Sequence, residues 1–162
     1  MTLQDLKITG VNYKQVLNLE IVETIHNHGV CNLRLLADDK FKATDILSLG
    51  GQVVSIKADK DFIFCGVIGS CNFENHIDEK ILFLQIYSLS AQMHAARKSA
   101  TFQSAKKKLS DILDAVKKNY KAADFECKKN DTIAELIYRE KLTDWEFLQE
   151  LATRHGQILF VN

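Results

Sequence analysis

Phe62-Ile63-Phe64-Cys65-Gly66-Val67-Ile68-Gly69-Ser70-Cys71-Asn72-Phe73 and, beyond the polar Glu74-Asn75-His76-Ile77-Asp78-Glu79, Lys80-Ile81-Leu82-Phe83-Leu84-Gln85-Ile86-Tyr87-Ser88-Leu89 decide how this chain folds. Both runs alternate with a period of two, the spacing at which a strand returns to one face. Phe62, Phe64 and Ile68 fill one side and Ile63, Cys65 and Val67 the other. Likewise Leu82, Leu84 and Ile86 oppose Ile81, Phe83, Tyr87 and Leu89. Strands apolar on both faces are covered on both. The second cover is either another subunit or the chain's own helices, and the pattern leaves both open.

Upstream the same period persists in half-polar form. In residues 16–26, Leu17, Leu19, Ile21 and Ile25 point one way while Asn18, Glu20, Thr24 and His26 point the other. Asn27-His28-Gly29 has turn chemistry. Residues 30–37 then resume with Cys31, Leu33, Leu35 and Ala37 on one side, so the two runs read as an antiparallel hairpin. Residues 40–49 read as a loop with a short helical turn, ended by Gly50-Gly51 before a strand over 52–58.

Downstream the regime changes. Residues 90–108 are rich in Ser, Ala and Lys, with no acid between Ile81 and Ser110, and read as a solvated connector. Beyond them the period becomes helical. Ser110 is placed to cap a helix with Asp114 inside it, and Ile112, Leu113, Val116 and Tyr120 form its stripe. A second helix is expected over 143–155. Thr143 and Glu146 fit a capping box, Leu142 and Phe147 the staple positions, and Trp145, Leu148, Leu151 and Ala152 the buried stripe, with Gly156 as the residue after the last turn. Short strands are expected at about 125–128, 133–138 and 157–161.

The composition excludes several function classes. With 162 residues, 46% apolar, and 21 basic against 21 acidic side chains, the chain folds and has no global pull toward phosphate backbones or anionic lipid. No run reaches the roughly 20 apolar residues of a membrane span, and the first residues lack a signal peptide's pattern, so a cytoplasmic address is expected. Cys31, Cys65, Cys71 and Cys127 form no CxxC pair and read as reduced, buried thiols.

Chemistry-bearing constellations are sparse. His26 and His28 share a strand face at a spacing that could hold a metal, but no third ligand lies nearby and turn residues explain them. Cys127 with His155 lacks an orienting third group. Glu135, Glu140, Asp144, Glu146 and Glu150 alternate with Arg139 and Lys141 in the manner of a solvated helical face rather than a two-carboxylate site. Gly50-Gly51 is the only glycine pair and belongs to neither a GxGxxG nor a GxxxxGK[ST] motif. No catalytic, cofactor-binding or metal-binding set is therefore expected, and the chain reads as a non-enzyme.

The run Tyr138-Arg139-Glu140-Lys141-Leu142-Thr143-Asp144-Trp145-Glu146-Phe147-Leu148-Gln149-Glu150-Leu151-Ala152-Thr153-Arg154-His155-Gly156 resembles the Y-R-E-x-x-x-D-W-x-F-L-x-R-L-A-x-x-x-G signature of contractile-injection hub and spike proteins. These comprise the VgrG spike proteins of type VI secretion, phage late control protein D and contractile-phage baseplate hubs. Glu150 stands where that family commonly has Arg, which reverses a surface charge and leaves the apolar stripe intact. Phe62-Ile63-Phe64-Cys65-Gly66-Val67-Ile68 is similar to the family's x-F-x-G-x-I strand.

The resemblance covers the family's N-terminal portion. It implies a β-rich α+β fold: a tail-tube-like antiparallel β-barrel over 1–89, a connector over 90–108, and part of a middle α/β domain with two helices over 109–162. The implied function is structural. A baseplate hub or spike base would oligomerise, as a trimer, and dock the tail tube to the spike without cofactor, nucleic acid or membrane anchor. It would be cytoplasmic during assembly and then part of a virion or secreted particle. Two other readings stand beside it: a cytoplasmic ligand-binding β-barrel, which needs an enclosed cavity, and a hydrolase or peptidase using Cys127 or a carboxylate pair, tested by substituting Cys127 and Glu140.

Overall fold

The computed structural model describes residues 3–77, 79–103, 107–120, 127, 130–133 and 135–161. The chain divides into two compact units, one of Met1–Leu89 with Phe160–Asn162 and one of Ser90–Leu159.

The first unit is a six-stranded antiparallel sheet. Its strands are β1 (Leu6–Thr9), β2 (Tyr13–Val22), β3 (Val30–Ala37), β4 (Val53–Ala58), β5 (Asp61–Asn75) and β6 (Lys80–Ser88). They pair in the order β1-β4-β5-β6-β3-β2. The β2–β3 hairpin forms as the alternation requires, and Cys31, Leu33, Leu35 and Ala37 all enter the core. From β2 the inward residues are Val16, Leu19 and Ile21, not Leu17. A bulge between Val16 and Asn18 slips the register, so strict alternation misplaces Leu17. The strand also ends at Val22, which leaves Ile25 exposed in the turn.

The sheet curls until its two edge strands nearly meet. Tyr13, at the start of β2, donates from its hydroxyl to the Leu6 carbonyl at 3.3 Å and accepts from the Ile8 amide at 3.3 Å. A side chain thus satisfies β1 edge groups that a seventh strand would otherwise claim, which makes a nearly closed barrel. Leu35, Val54, Ile56, Leu82 and Ile86 line its interior with no exposure, and Leu33, Ile68 and Leu84 with 2%. A short 3-10 turn, Ala43–Asp45, runs into the single-turn helix α1 (Ile46–Leu49), whose Leu49 joins this core.

Two glycines of β5 are fixed by close approach. A Cβ on Gly66 would lie 2.2 Å from the Tyr87 carbonyl oxygen of β6, and one on Gly69 would lie 2.4 Å from the Tyr87 ring. Gly69 falls in a bulge between Ile68 and Ser70, and the tyrosine ring occupies the space its missing side chain leaves.

The second unit corrects the connector reading. Leu89–His94 is a 3-10 segment with Ser90 and Met93 buried, and Arg97–Phe102 is a strand, β7, paired antiparallel with β8 (Ile137–Thr143). β7 alternates exposed and half-buried residues, so its Ser/Lys-rich sequence lacked the apolar run by which strands are recognised. The strand expected at 133–138 begins only at Ile137 and extends into the signature, while the Ile133 amide donates to the Lys107 carbonyl at 2.8 Å beside the isolated bridge Lys108–Thr132. Residues 157–161 are irregular rather than a strand. The strand expected at 125–128 falls mainly outside the described residues.

Helix α2 (Leu109–Lys117) starts before Ser110. Lys108 is its N-cap, and the Asp111 carboxylate accepts the Lys108 amide at 2.7 Å. Buried Leu109 draws the first turn upstream, and Ser110 instead exchanges two hydrogen bonds with Asn130 at 3.0 Å each. Helix α3 (Asp144–Arg154) follows the sequence reading at both ends. Glu146 donates its amide to Thr143 Oγ1 at 3.1 Å and accepts the Thr143 amide at 2.8 Å, closing the capping box. At the other end Gly156 has φ of 59°. Its amide donates to the Thr153 carbonyl and that of Gln157 to the Ala152 carbonyl, a Schellman motif. The whole is a β-rich α+β fold with the barrel first, as the sequence led us to expect.

Candidate functional site

The outer face of the barrel carries the feature that the two-faced strands foretold. Strand register aligns Val53 of β4 with Val67 of β5, Val67 with Tyr87 of β6, Tyr87 with Val30 of β3, and Val30 with Val22 of β2. One apolar row therefore crosses five strands on the side away from the core. Its middle members are half-buried, whereas Val53 is 53% and Val22 45% exposed. The one α-helix described in this unit, α1, is a single turn long.

A polar ladder runs beside the row. Tyr87 donates its hydroxyl to Gln85 Oε1 at 2.8 Å, Gln85 donates to Asn32 Oδ1 at 3.3 Å, and Asn32 donates to Glu20 Oε2 at 3.0 Å. Beyond it the Arg34 guanidinium lies 5.2 Å from the Phe83 ring centre. On the other side, Lys7 of β1 stands directly opposite Lys57 of β4, and the Lys57 ammonium lies 5.8 Å from the ring centre of Phe62, itself 60% exposed. Glu20, exposed, lies two residues from Val22 on its side of the row, whereas Lys57 lies four residues from Val53 on the opposite side.

The second concentration of chemistry is a buried charge cluster in the other unit. The Asp144 carboxylate, 1% exposed, accepts from Arg139, from Lys98 Nζ at 2.5 Å and from the Tyr120 hydroxyl at 2.7 Å. Arg139, 3% exposed, also donates to the Leu142 carbonyl through Nε at 3.1 Å and Nη2 at 2.6 Å, and its guanidinium lies 5.2 Å from the Phe147 ring centre. Burial by itself would raise the Asp144 pKa. The bonds from Lys98, Tyr120 and Arg139 outweigh it and hold the carboxyl below its ordinary value. Burial, then the neighbouring carboxylate, pushes the Tyr120 phenol up.

This cluster joins β7, β8, the chain after α2, and the first turn of α3. It overturns the reading of Arg139 and Asp144 as members of a solvated helical face. Residues 137–143 are strand, β8 carries one extra residue opposite Lys98–Ala100 with Lys141 at φ of 48°, and Arg139 is buried. The bonds from Lys98, Tyr120 and Arg139 to one carboxylate tie β7, β8, the chain after α2 and α3 together. The signature's Arg and Asp are spaced too unevenly for a helical pair, and that spacing was the signal available in the sequence.

The remaining candidates are scattered. His26 sits in the hairpin turn at φ of 60° and His28 two residues on. Among the described residues no group of three His, Cys, Asp or Glu side chains is placed to hold a metal ion. Cys127 contacts Gln157 across 3.7 Å, and His155 is the C-cap of α3. Glu150 pairs with Arg154 at 2.8 Å on the helix surface, and Glu146 is engaged in the cap and with Arg97 at 3.1 Å. Cys31 is fully buried and its thiol is pushed up to about 12, while burial also raises Cys65 and Cys71.

One open cavity of about 630 Å³ lies at the barrel end against Val11, Tyr13, Lys14, Asp38, Lys40 and Phe41. It lies outside the closely packed barrel interior. Among the described residues no helix is long and apolar enough to cross a membrane.

A nearly closed six-stranded antiparallel barrel followed by a small α/β unit is a fold shared with solved structures. The chain is similar in fold to a 43 kDa tail protein of prophage MuSo2 from Shewanella oneidensis (TM-score 0.71, 14% identity, 97% of this chain and 52% of that one). It is similar also to a tail protein from Neisseria meningitidis MC58 (0.68, 13%, 96% and 49%). A third likeness is to the E. coli c3393 protein, a component of the type VI secretion system with structural similarity to the T4 tail proteins gp27 and gp5 (0.62, 15%, 96% and 47%). The chain thus spans about half the length of each. By sequence, residues 11–162 match the Alg8 N-terminal domain family, and the chain belongs to that family. No curated protein matches it.

Proposed function

We propose that this chain is a structural component of a contractile injection machine, acting as the baseplate hub or spike base that oligomerises and docks the tail tube to the spike. The observation that carries the reading is the shared fold: 96–97% of the chain, both units included, superposes on tail proteins, one of them a secretion-system component. The VgrG and late control protein D signature over residues 138–156 supports the narrower hub assignment, with the barrel of residues 1–89 meeting the tube and residues 109–162 contributing to the middle domain. On this reading no bond is made or broken. The protein assembles in the cytoplasm as a trimer and leaves in the particle.

The buried barrel interior weighs against the ligand-binding alternative, which needs an enclosed cavity. The test is location. Sheathed particles, purified from cells that make this protein and probed with an antibody against the chain, should carry it at the tube–spike junction by immunogold microscopy. Particles that assemble fully without it would overturn the proposal.

A further inference from the structure

We infer that the open trough at the barrel end, outside the packed interior, binds a neutral oligosaccharide, an activity independent of the assembly reading above. The cavity of about 630 Å³ against Tyr13, Lys14, Asp38 and Lys40 continues into a second of about 580 Å³ against Thr9, Ser48 and Gln52. The two share Val11, Asn12, Phe41 and Asp45, so together they offer room for a short chain of rings. Val11, Phe41 and Leu49, each nearly buried, give the trough an apolar floor. Its walls are held in place before any ligand arrives. Asp38 accepts the Lys40 amide at 2.9 Å and Asp45 the Lys42 amide at 2.8 Å, each through one carboxylate oxygen, so the other oxygen of each remains to accept. Gln52 donates to the Ser48 carbonyl at 2.6 Å, which fixes its amide and leaves its Oε1 as an acceptor. Lys80 braces the loop by donating to the Asp39 and Phe41 carbonyls at 2.6 and 2.9 Å. A site ordered in advance loses less freedom on binding.

The lining selects the class of ligand. Lys14 and Lys40 are matched there by Asp38 and Asp45, and Lys14 is already paired with Asp39 at 2.5 Å, so neither an anion nor a cation meets a site of one sign. An extended peptide gains affinity by adding to a sheet edge, and the β1 edge is engaged by the Tyr13 hydroxyl. Among the described residues the side chains of Asn12 and Lys40 have no protein partner, which adds donors to the carboxylate and Gln52 acceptors. Hydroxyl groups donate and accept alike, so a sugar satisfies both sets at once while the C–H face of its ring rests on the floor.

The experiment titrates the isotope-labelled full chain with maltotriose, cellotriose and triacetylchitotriose, and in parallel with inorganic phosphate and N-acetyl-triglycine amide, while backbone amide resonances are followed by NMR. At least one trisaccharide should shift the amides of residues 9–14 and 38–52 saturably. Asn12→Ala and Lys40→Ala should each weaken that binding about tenfold. Both side chains are exposed, so the unfolding midpoint should hold in either variant. No saturable shift in those segments with any of the three sugars, or binding indifferent to both substitutions, overturns the inference. Tighter binding of phosphate or of the peptide than of every sugar overturns the ligand class. None of these outcomes bears on the particle microscopy, which decides the assembly reading separately.

Discussion

Removing the Asp144 carboxylate is the most informative single change. Asp144→Ala leaves the Arg139 guanidinium, 3% exposed, without its anion and strips acceptors from Lys98 and Tyr120. Breaking a buried pair by removing one partner costs about 3–5 kcal/mol. With a urea dependence of about 2 kcal/mol per molar, the unfolding midpoint of this unit falls by about 2 M. Trp145 is the only tryptophan, is 3% exposed and adjoins Asp144 in α3, so its fluorescence reports this unit. Arg139→Met combined with Asp144→Leu removes both charges and should recover at least about half the loss, a coupling of about 2 kcal/mol. Lys98 is exposed enough to turn to solvent. A shift under about 0.5 M for Asp144→Ala, or additivity in the double variant, refutes the cluster as the lock of this unit.

Acid should act through the same group. The folded Asp144 pKa lies below its ordinary value of 3.8, so its stabilisation is complete above that value and is lost as pH falls through the folded pKa. Trp145 fluorescence during acid titration should show the loss below about pH 4, and Asp144→Asn should flatten that limb. Gly66→Ala drives a Cβ to within 2.2 Å of a backbone oxygen that cannot turn aside. It should destabilise the barrel by about 3 kcal/mol, seen as a lowered midpoint in far-ultraviolet circular dichroism. Cys31, with no exposure and a thiol pushed up to about 12, should resist a thiol reagent in the native protein and react on denaturation. Rapid native labelling at Cys31 contradicts the packed barrel.

The two helix ends of α3 and the β2–β3 hairpin were legible because their signals are local. A capping box, a Gly at the C′ position and an alternating run depend on residues within a few positions of one another. The slip that puts Val16 rather than Leu17 in the core was not legible, because a bulge is decided by the strand across from it. β7 escaped notice for a related reason: its sequence is that of a solvated linker, and only pairing with β8, some forty residues on, makes it a strand.

The same division holds for the candidate sites. That the runs 62–73 and 80–89 need cover on both faces followed from their alternation, since each places several apolar side chains on either face. That Val53, Val67, Tyr87, Val30 and Val22 form one row was decided by register among five strands far apart in the chain. Arg139 and Asp144 carry charges that sequence assigns to the surface. Their burial follows from a fold that brings Lys98, Tyr120 and the Leu142 carbonyl within hydrogen-bonding reach, because a charge leaves water only where tertiary structure supplies its partners.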